Sequence, residues 1–480
     1  MTRRRNNHKT SGLATEPPVR HRTGPASAEA IHRHLMKVLR QSRANRSKEG
    51  RQIGVELKFP LVREDGRAPE PSVVPALWDH LCSLGWQAVH DEVSGRPVGA
   101  RTATEGGYTV ASCETGYCKP EFSLAPVISL VDLEAAIREL REELKPYADR
   151  YRVHFLGYGI QPVTAPSMHL RMDKSRTRVW DAVFRSNRIV PPELGQDLDL
   201  FTINAASHVH VSVSEEEAVP LVNIFNGFAG PQIALTANSS IWRGQVDPAY
   251  ACVAEKFWDW WVPEEGRAGV PQKSFTDLGD YALTMSGFRP VFVKRGDGPL
   301  LIEGYKTFKH YYSQERAAGV GLDGREVTVT PEPADIDLHC TCCWHSARIT
   351  RYGTVENRPN DQQPPGALLC VAALTLGLTE ALGESQEELN RFEWHELRDA
   401  RESACRSALR GMVASERIAS LAGRLLELAR LGLGRRGLGE ERFLEPLEER
   451  LKSGRCPSDD AVELFQGGGA ERLVEARAFV

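Results

Sequence analysis

The chain has 480 residues, 41% hydrophobic and 26% charged, an ordinary globular composition for roughly two or three domains or one large enzyme domain with a helical extension. No apolar run approaches the ~18 residues of a membrane-spanning helix, and no hydrophobic segment follows the basic start as in a secretory signal. Ten cysteines without the spacing of a secreted scaffold point to reduced thiols and a cytoplasmic location.

Residues 1–51 carry thirteen Lys or Arg against three Asp or Glu, a net of +10, which leaves −14 for the remainder of a chain whose total is −4. This reads as a basic, disordered arm. Without interleaved aromatic residues to stack on bases, it does not read as a nucleic-acid contact. Within it, Ser27 to Arg46 has the makings of a basic helix with Ser27 as its cap.

The folded part opens at Gln52, where Ile53 to Val62 alternates as a strand. After the Glu64-Asp65-Gly66 turn, Ser72 to Leu84 has helical spacing, with Val74, Leu77, Trp78 and Leu81 on one face and Gly85 as the stop. Two strands flank Gly106-Gly107, and another segment follows at Glu121 to Pro126. Ser129 is expected to cap a helix with the stripe Leu130, Leu133, Ile137, Leu140 and Leu144, ended by Pro146. Strands at 152–162 and 207–213, one long buried helix over 215–238, a β-rich piece over 291–302 and a strand over 350–358 complete an expected catalytic region of residues 52–365. Residues 366–480 read as helices packed on the same domain, with Gly-rich breaks near 432–439 and 467–469. No turn carries a Rossmann or P-loop glycine pattern. The fold class that fits is α+β, a mainly antiparallel sheet flanked by helices with a helical C-terminal region.

Four segments carry the chemistry: Gly54-Val55-Glu56-Leu57-Lys58, Cys113 to Ser123 with Glu114 and Glu121, Ser207-His208-Val209-His210, and Thr354-Val355-Glu356-Asn357-Arg358. Side chains alternate along a strand, so Glu56 with Lys58, His208 with His210, and Glu356 with Arg358 each share a face. Any single Glu–Arg pair here reads as a structural ion pair, and each histidine alone as a hydrogen-bonded one. Together they make a patch of carboxylates and imidazoles suited to magnesium or manganese, beside cations suited to phosphate. That combination fits ATP-dependent activation of an acid. His339 to His345, with Cys340, Cys342 and Cys343, lacks the Cys-x2-Cys spacing of a structural zinc site. It reads as buried thiols on a core strand, with Cys340 and Cys342 on one face and Cys343 on the other; a zinc- or redox-sensing site is the alternative.

At these residues the chain resembles the glutamate–cysteine ligases of plants and proteobacteria, within the carboxylate–amine ligase family related to glutamine synthetase. Gly54-Val55-Glu56 is similar to the family's opening strand, and Glu114 with Glu121 to its second segment. His208-Val209-His210 resembles its His-Val-His strand, and Ala234 to Ser239 its Ala-Asn-Ser-Pro segment, with Ser240 in place of proline. Asp280 to Leu283, Phe292-Val293-Lys294, Arg348 and Val355 to Arg358 follow in order, as do Glu441 to Leu451 and Gly454 to Ser458. The resemblance spans roughly residues 52–475. It implies ATP and Mg2+ (or Mn2+) as cofactors and an acyl phosphate formed on glutamate, which an amine, cysteine first, then attacks. It further implies that Glu56, His208 and Glu356 hold one metal ion and Glu114 and Glu121 others. Arg348, Arg358 and His210 are expected on the ATP side.

One departure stands out. The family's first strand reads Glu-x-Glu, and here Lys58 takes the second place, where it can neutralise phosphate or hold a substrate carboxylate. This points to fewer metal ions. Together with the unusual cysteines Cys113 and Cys118, it leaves another acid or amine open as substrate. A catalytically silent relative that binds an amino acid or nucleotide is the other reading.

Overall fold

The computed structural model describes residues 27–46 and 50–480, apart from 263, 265 and 297. Eight strands form the main sheet: β1 (Ile53–Lys58), β2 (Gln87–His90), β3 (Pro97–Thr104), β4 (Gly107–Cys113), β5 (Pro120–Ser123), β6 (Ser207–Ser212), β7 (Ala347–Ile349) and β8 (Thr354–Asn357). Their spatial order is β7-β8-β6-β1-β5-β4-β3-β2, and every pairing is antiparallel. The expected α+β class, an antiparallel sheet flanked by helices, is what the chain forms.

Period-two alternation divides this sheet into an apolar and a charged face. Ile53, Val55 and Leu57 on β1, Val209 and Val211 on β6, Phe122 on β5 and Val355 on β8 are all buried. Each such side chain contributes about 1.5–3 kcal/mol on leaving water. The Glu215–Gly227 and Cys370–Glu380 helices pack against these strands. The intervening residues, Glu56, Lys58, His208, His210, Glu121 and Glu356, line a cleft.

Several local expectations change. The helix capped by Ser129, whose side chain accepts the Asp132 N–H, does not end at Pro146 but runs to Tyr151. Proline costs one ladder hydrogen bond, but buried Leu144, Tyr147 and Ala148 hold this last stretch in the core, and the Tyr147 hydroxyl donates to Val73 O at 2.7 Å. The single helix expected over 215–238 is two, Glu215–Gly227 and Ala229–Thr236, which meet at Phe228. Pro231 explains the break, because its ring would collide with the Gly227 carbonyl in a continuous helix. The expected strand at 152–162 is reduced to His154–Phe155, paired with Leu61–Val62.

The cysteine-rich segment is not a strand. Cys340 lies on the Ala334–Thr341 helix, Cys342 caps its C-terminal end, and only Trp344–His345 is extended. The expected strand faces therefore do not exist, although Cys342 and Cys343 are fully buried.

Residues 27–46 form a helix that is part of the folded body rather than of a free arm. Ile31, Leu35 and Leu39 recur at four-residue spacing and are 0–3% exposed, His34 Nε2 lies 2.7 Å from Asp337 Oδ1, and Arg40 pairs with Glu215 at 2.6 Å. Residues 1–26 lie outside the described residues. The C-terminal region is helical, as expected, apart from a short hairpin pairing Met412–Val413 with Glu416–Arg417. The expected break near 432–439 is present at its far end, where the Ile418–Arg436 helix is capped by Gly437 with φ 67°, and Gly432 itself does not interrupt that helix. Instead, Gly432 and Gly377 let two helix backbones touch, and a Cβ on Gly432 would collide with the Gly377 carbonyl. The expected break at Gly468-Gly469 is present.

Candidate active site

Antiparallel register assembles the site. Glu56 on β1 faces His208 on β6, Lys58 faces Glu121 on β5, Glu356 on β8 faces His210, and Arg348 on β7 faces Glu356. Five neighbouring strands thus bring seven of the expected residues onto one face of the sheet. Glu114 joins them from the turn after β4, and Arg358 from just beyond β8. They line a cleft of about 430 Å³.

Glu356 sits at the centre of one half. It accepts from Arg348 Nε at 2.7 Å and from Arg358, and its Oε1 lies 3.4 Å from His208 Nδ1. Arg348 is fixed further by donation to the carbonyls of Thr341 and Cys343 at 2.9 and 3.1 Å. The Arg358 guanidinium lies 5.8 Å from the centroid of the Trp258 ring. Burial opposes ionisation of Glu356, but Arg348 and Arg358 hold it well below the usual carboxylate range. Glu56 is likewise held down against burial by Lys58 and by hydrogen bonds from the two histidines. Glu56, His210 and Glu356 each offer a donor atom within 4.8 Å of the others. His208, expected in this trio, has its Nδ1 3.1 Å from Glu56 and 3.4 Å from Glu356, with the Lys58 ammonium also 3.1 Å away, so both histidines border the two carboxylates. Two ionised carboxylates and a convergent imidazole fit a magnesium or manganese ion.

The other half centres on Lys58, which is 3% exposed. Its Nζ lies 3.2 Å from Glu56, 3.1 Å from Glu121 and 3.7 Å from Glu114, and 3.1 Å from His208 Nδ1. Burial disfavours the ammonium, but Glu114, Glu121 and Glu56 outweigh it and raise its pKa. Burial, with Glu56 and Glu114 nearby, pushes Glu121 up to about 7 despite Lys58. His208 is lowered by burial and by the nearby Lys58 and Arg358 charges, and so is neutral at pH 7.

Three contributors escaped the sequence reading. Lys119, 1% exposed, lies 3.6 Å from Glu114 and donates to Asn204 Oδ1 at 2.9 Å. Lys174 lines the cleft and donates to the Cys113 carbonyl; burial lowers it to about 8. Trp180, Trp258 and Trp344 form an aromatic wall, with Trp344 5.6 Å from Trp180 and 5.9 Å from Trp258. Lys119 stands two residues from Glu121 and was visible within that motif. Lys174 and the tryptophans belong to no spaced pattern.

A family model described as glutamate-cysteine ligase family 2 matches residues 53–476, nearly the whole described chain. The chain belongs to this family. A chloroplastic glutamate–cysteine ligase of Solanum lycopersicum is 26% identical over 360 residues, 72% of this chain and 64% of that protein. The match thus spans less than two thirds of the tomato protein's length. A putative glutamate–cysteine ligase 2-3 of Rubrobacter xylanophilus is 24% identical over 88% of this chain and 95% of its own length. A glutamate–cysteine ligase of Francisella tularensis, solved in complex with AMP, is similar at TM-score 0.49 and 10% identity, covering 90% of this chain and 88% of that one. That likeness is too loose for residue-by-residue comparison. Among the described residues, no single helix is long and apolar enough to cross a membrane.

Proposed function

We propose that this family member is an ATP- and magnesium-dependent carboxylate–amine ligase, with glutamate as the acid and cysteine as the leading amine. The observation that carries this reading is the antiparallel register that sets Glu56, His210 and Glu356 beside Arg348 on the cleft face of the sheet, with Arg358 joining them on Glu356. Metal-ligand and phosphate-binding groups share one cleft.

In the proposed reaction a carboxylate oxygen of the acid attacks the γ-phosphorus of ATP, and the bond to ADP breaks. The amine nitrogen then attacks the acyl carbon, phosphate leaves, and the nitrogen loses a proton. Glu56, His210 and Glu356 would hold the divalent ion, which when bound neutralises phosphate charge. Arg358, with only one arm engaged by Glu356, has N–H groups left for the transferred phosphoryl group. Arg348, tied to two carbonyls, fixes Glu356 in place. No covalent nucleophile is required, because positioning and fixed charge supply the rate. The ten cysteines are all unpaired, in keeping with a reducing compartment such as the cytoplasm.

Phosphate release tests the reading: ATP and magnesium, glutamate fixed, and a panel of amines that includes cysteine. Release that needs both acid and amine is the expected result, and the best amine identifies the product. ATP or glutamate binding without release under any pairing would replace the ligase with a silent binding protein.

A further inference from the structure

We propose that Lys58 is a built-in cation that fills the place of a second divalent ion, so that this chain has one divalent-ion site on its sheet. The inference rests on the reading of Glu56, His210 and Glu356 as a metal site, and goes beyond it.

Carboxylates from three segments, Glu56, Glu114 and Glu121, converge with His208 on a single point, and the Lys58 ammonium occupies it at 3.1–3.7 Å from all four. Without that ammonium, three acidic groups and an imidazole would surround a buried gap, a donor set a divalent ion would take. The two halves of the site share Glu56. Its Oε1 lies 3.3 Å from His210 Nε2 on the metal side, and its Oε2 lies 3.2 Å from Lys58 and 3.1 Å from His208 on the other. Lys119 places a second ammonium 3.6 Å from Glu114, anchored by Asn204 Oδ1 and the Phe201 carbonyl at 2.9 and 3.2 Å. Two buried ammonium groups repel any further cation there.

The same geometry sets Lys58 among carboxylates rather than toward the open cleft: its side chain is 4% exposed, and Glu56, Glu121 and Glu114 surround its Nζ at 3.1–3.7 Å. Glu114 and Glu121, expected from the resemblance to be metal ligands, are therefore partners of Lys58.

The test is the stoichiometry of Mn2+ binding to the full chain, measured by equilibrium dialysis with Mn2+ alone and no nucleotide. Wild type should bind one Mn2+ per chain. Glu356→Gln should weaken that binding at least tenfold, whereas Glu121→Gln should leave it within twofold. Lys58→Glu and the neutral Lys58→Met should each bring a second Mn2+, with circular dichroism verifying their folds. If neither Lys58 variant folds, the Glu121→Gln result decides. Two sites in wild type, one of them lost in Glu121→Gln, would overturn the inference and leave the ligase reading intact. A folded Lys58 variant that stays at one site would do the same. No Mn2+ site in any form would overturn both this inference and the assignment of the metal trio.

Discussion

Glu356 holds two guanidinium groups at once while one of its oxygens faces the two histidines. Glu356→Gln should therefore lower phosphate release by ~100-fold or more in protein that remains folded. It should also cost about 3–5 kcal/mol of stability, because two buried cations lose their counter-charge. Phosphate release and urea denaturation of the same preparation check both effects; a variant as active as wild type would remove Glu356 from the site. This residue was legible in the sequence because alternation placed it with Arg358 on one strand face. Glu56, His208, His210 and Glu121 were legible for the same reason. Trp258 and Lys174 were not, since their place in the cleft depends on a chain path that no local spacing encodes. Alternation could not choose between His208 and His210, because both project from the same face of β6 and both reach Glu56 and Glu356.

Asp91, 8% exposed, shows how a loop residue starts an element. Its carboxylate accepts the backbone N–H groups of Ser94 and of Ser175, the first residue of the Ser175–Val183 helix, both at 3.0 Å. Burial works against the charge, but these hydrogen bonds lower the group to about 2. The folded-state value lies below the unfolded one of ~3.9. Its contribution is therefore complete above pH ~4 and is lost as pH falls through about 2. Asp91→Asn should cost about 1–2 kcal/mol at pH 7, and the gap from wild type should close as the pH falls. Urea midpoints at pH 7, 4 and 3 measure it, and a gap independent of pH would show that the Asp91 charge contributes nothing. Elements with a long apolar stripe and a cap, such as the Ser129-capped helix, could be read from the sequence. The Ala334–Thr341 helix could not, because its short run of Asp, His and Cys has no clear apolar period. The end of the Leu130–Tyr151 helix was misread because packing of Tyr147 outweighs the local cost of Pro146.

At the scale of the whole molecule, both ends of the described chain return to the sheet. The Ser27–Arg46 helix brings Leu35 to the edge of the cleft. Its charge dominated the sequence reading, although Ile31, Leu35 and Leu39 were there to be read as a stripe. Phe479 stacks on Phe59, just past β1, with ring centroids 5.0 Å apart and planes at 8°, and its N–H donates to the Phe155 carbonyl at 2.8 Å. Phe479→Ala should cost about 3–5 kcal/mol. Activity and far-ultraviolet circular dichroism should fall together in one urea transition, since the helical C-terminal region and the catalytic strands share this core. Separate midpoints for the two signals would show that the regions unfold independently.

In the proposed reaction the acid is activated by phosphorylation before the amine attacks. Glutamate carrying 18O in its γ-carboxylate tests it most directly, with the released phosphate analysed by mass spectrometry after turnover with ATP, magnesium and cysteine or the best amine. One 18O atom is expected in each phosphate released, because the carboxylate oxygen that attacks phosphorus leaves with it. Amide product accompanied by phosphate without 18O would contradict it.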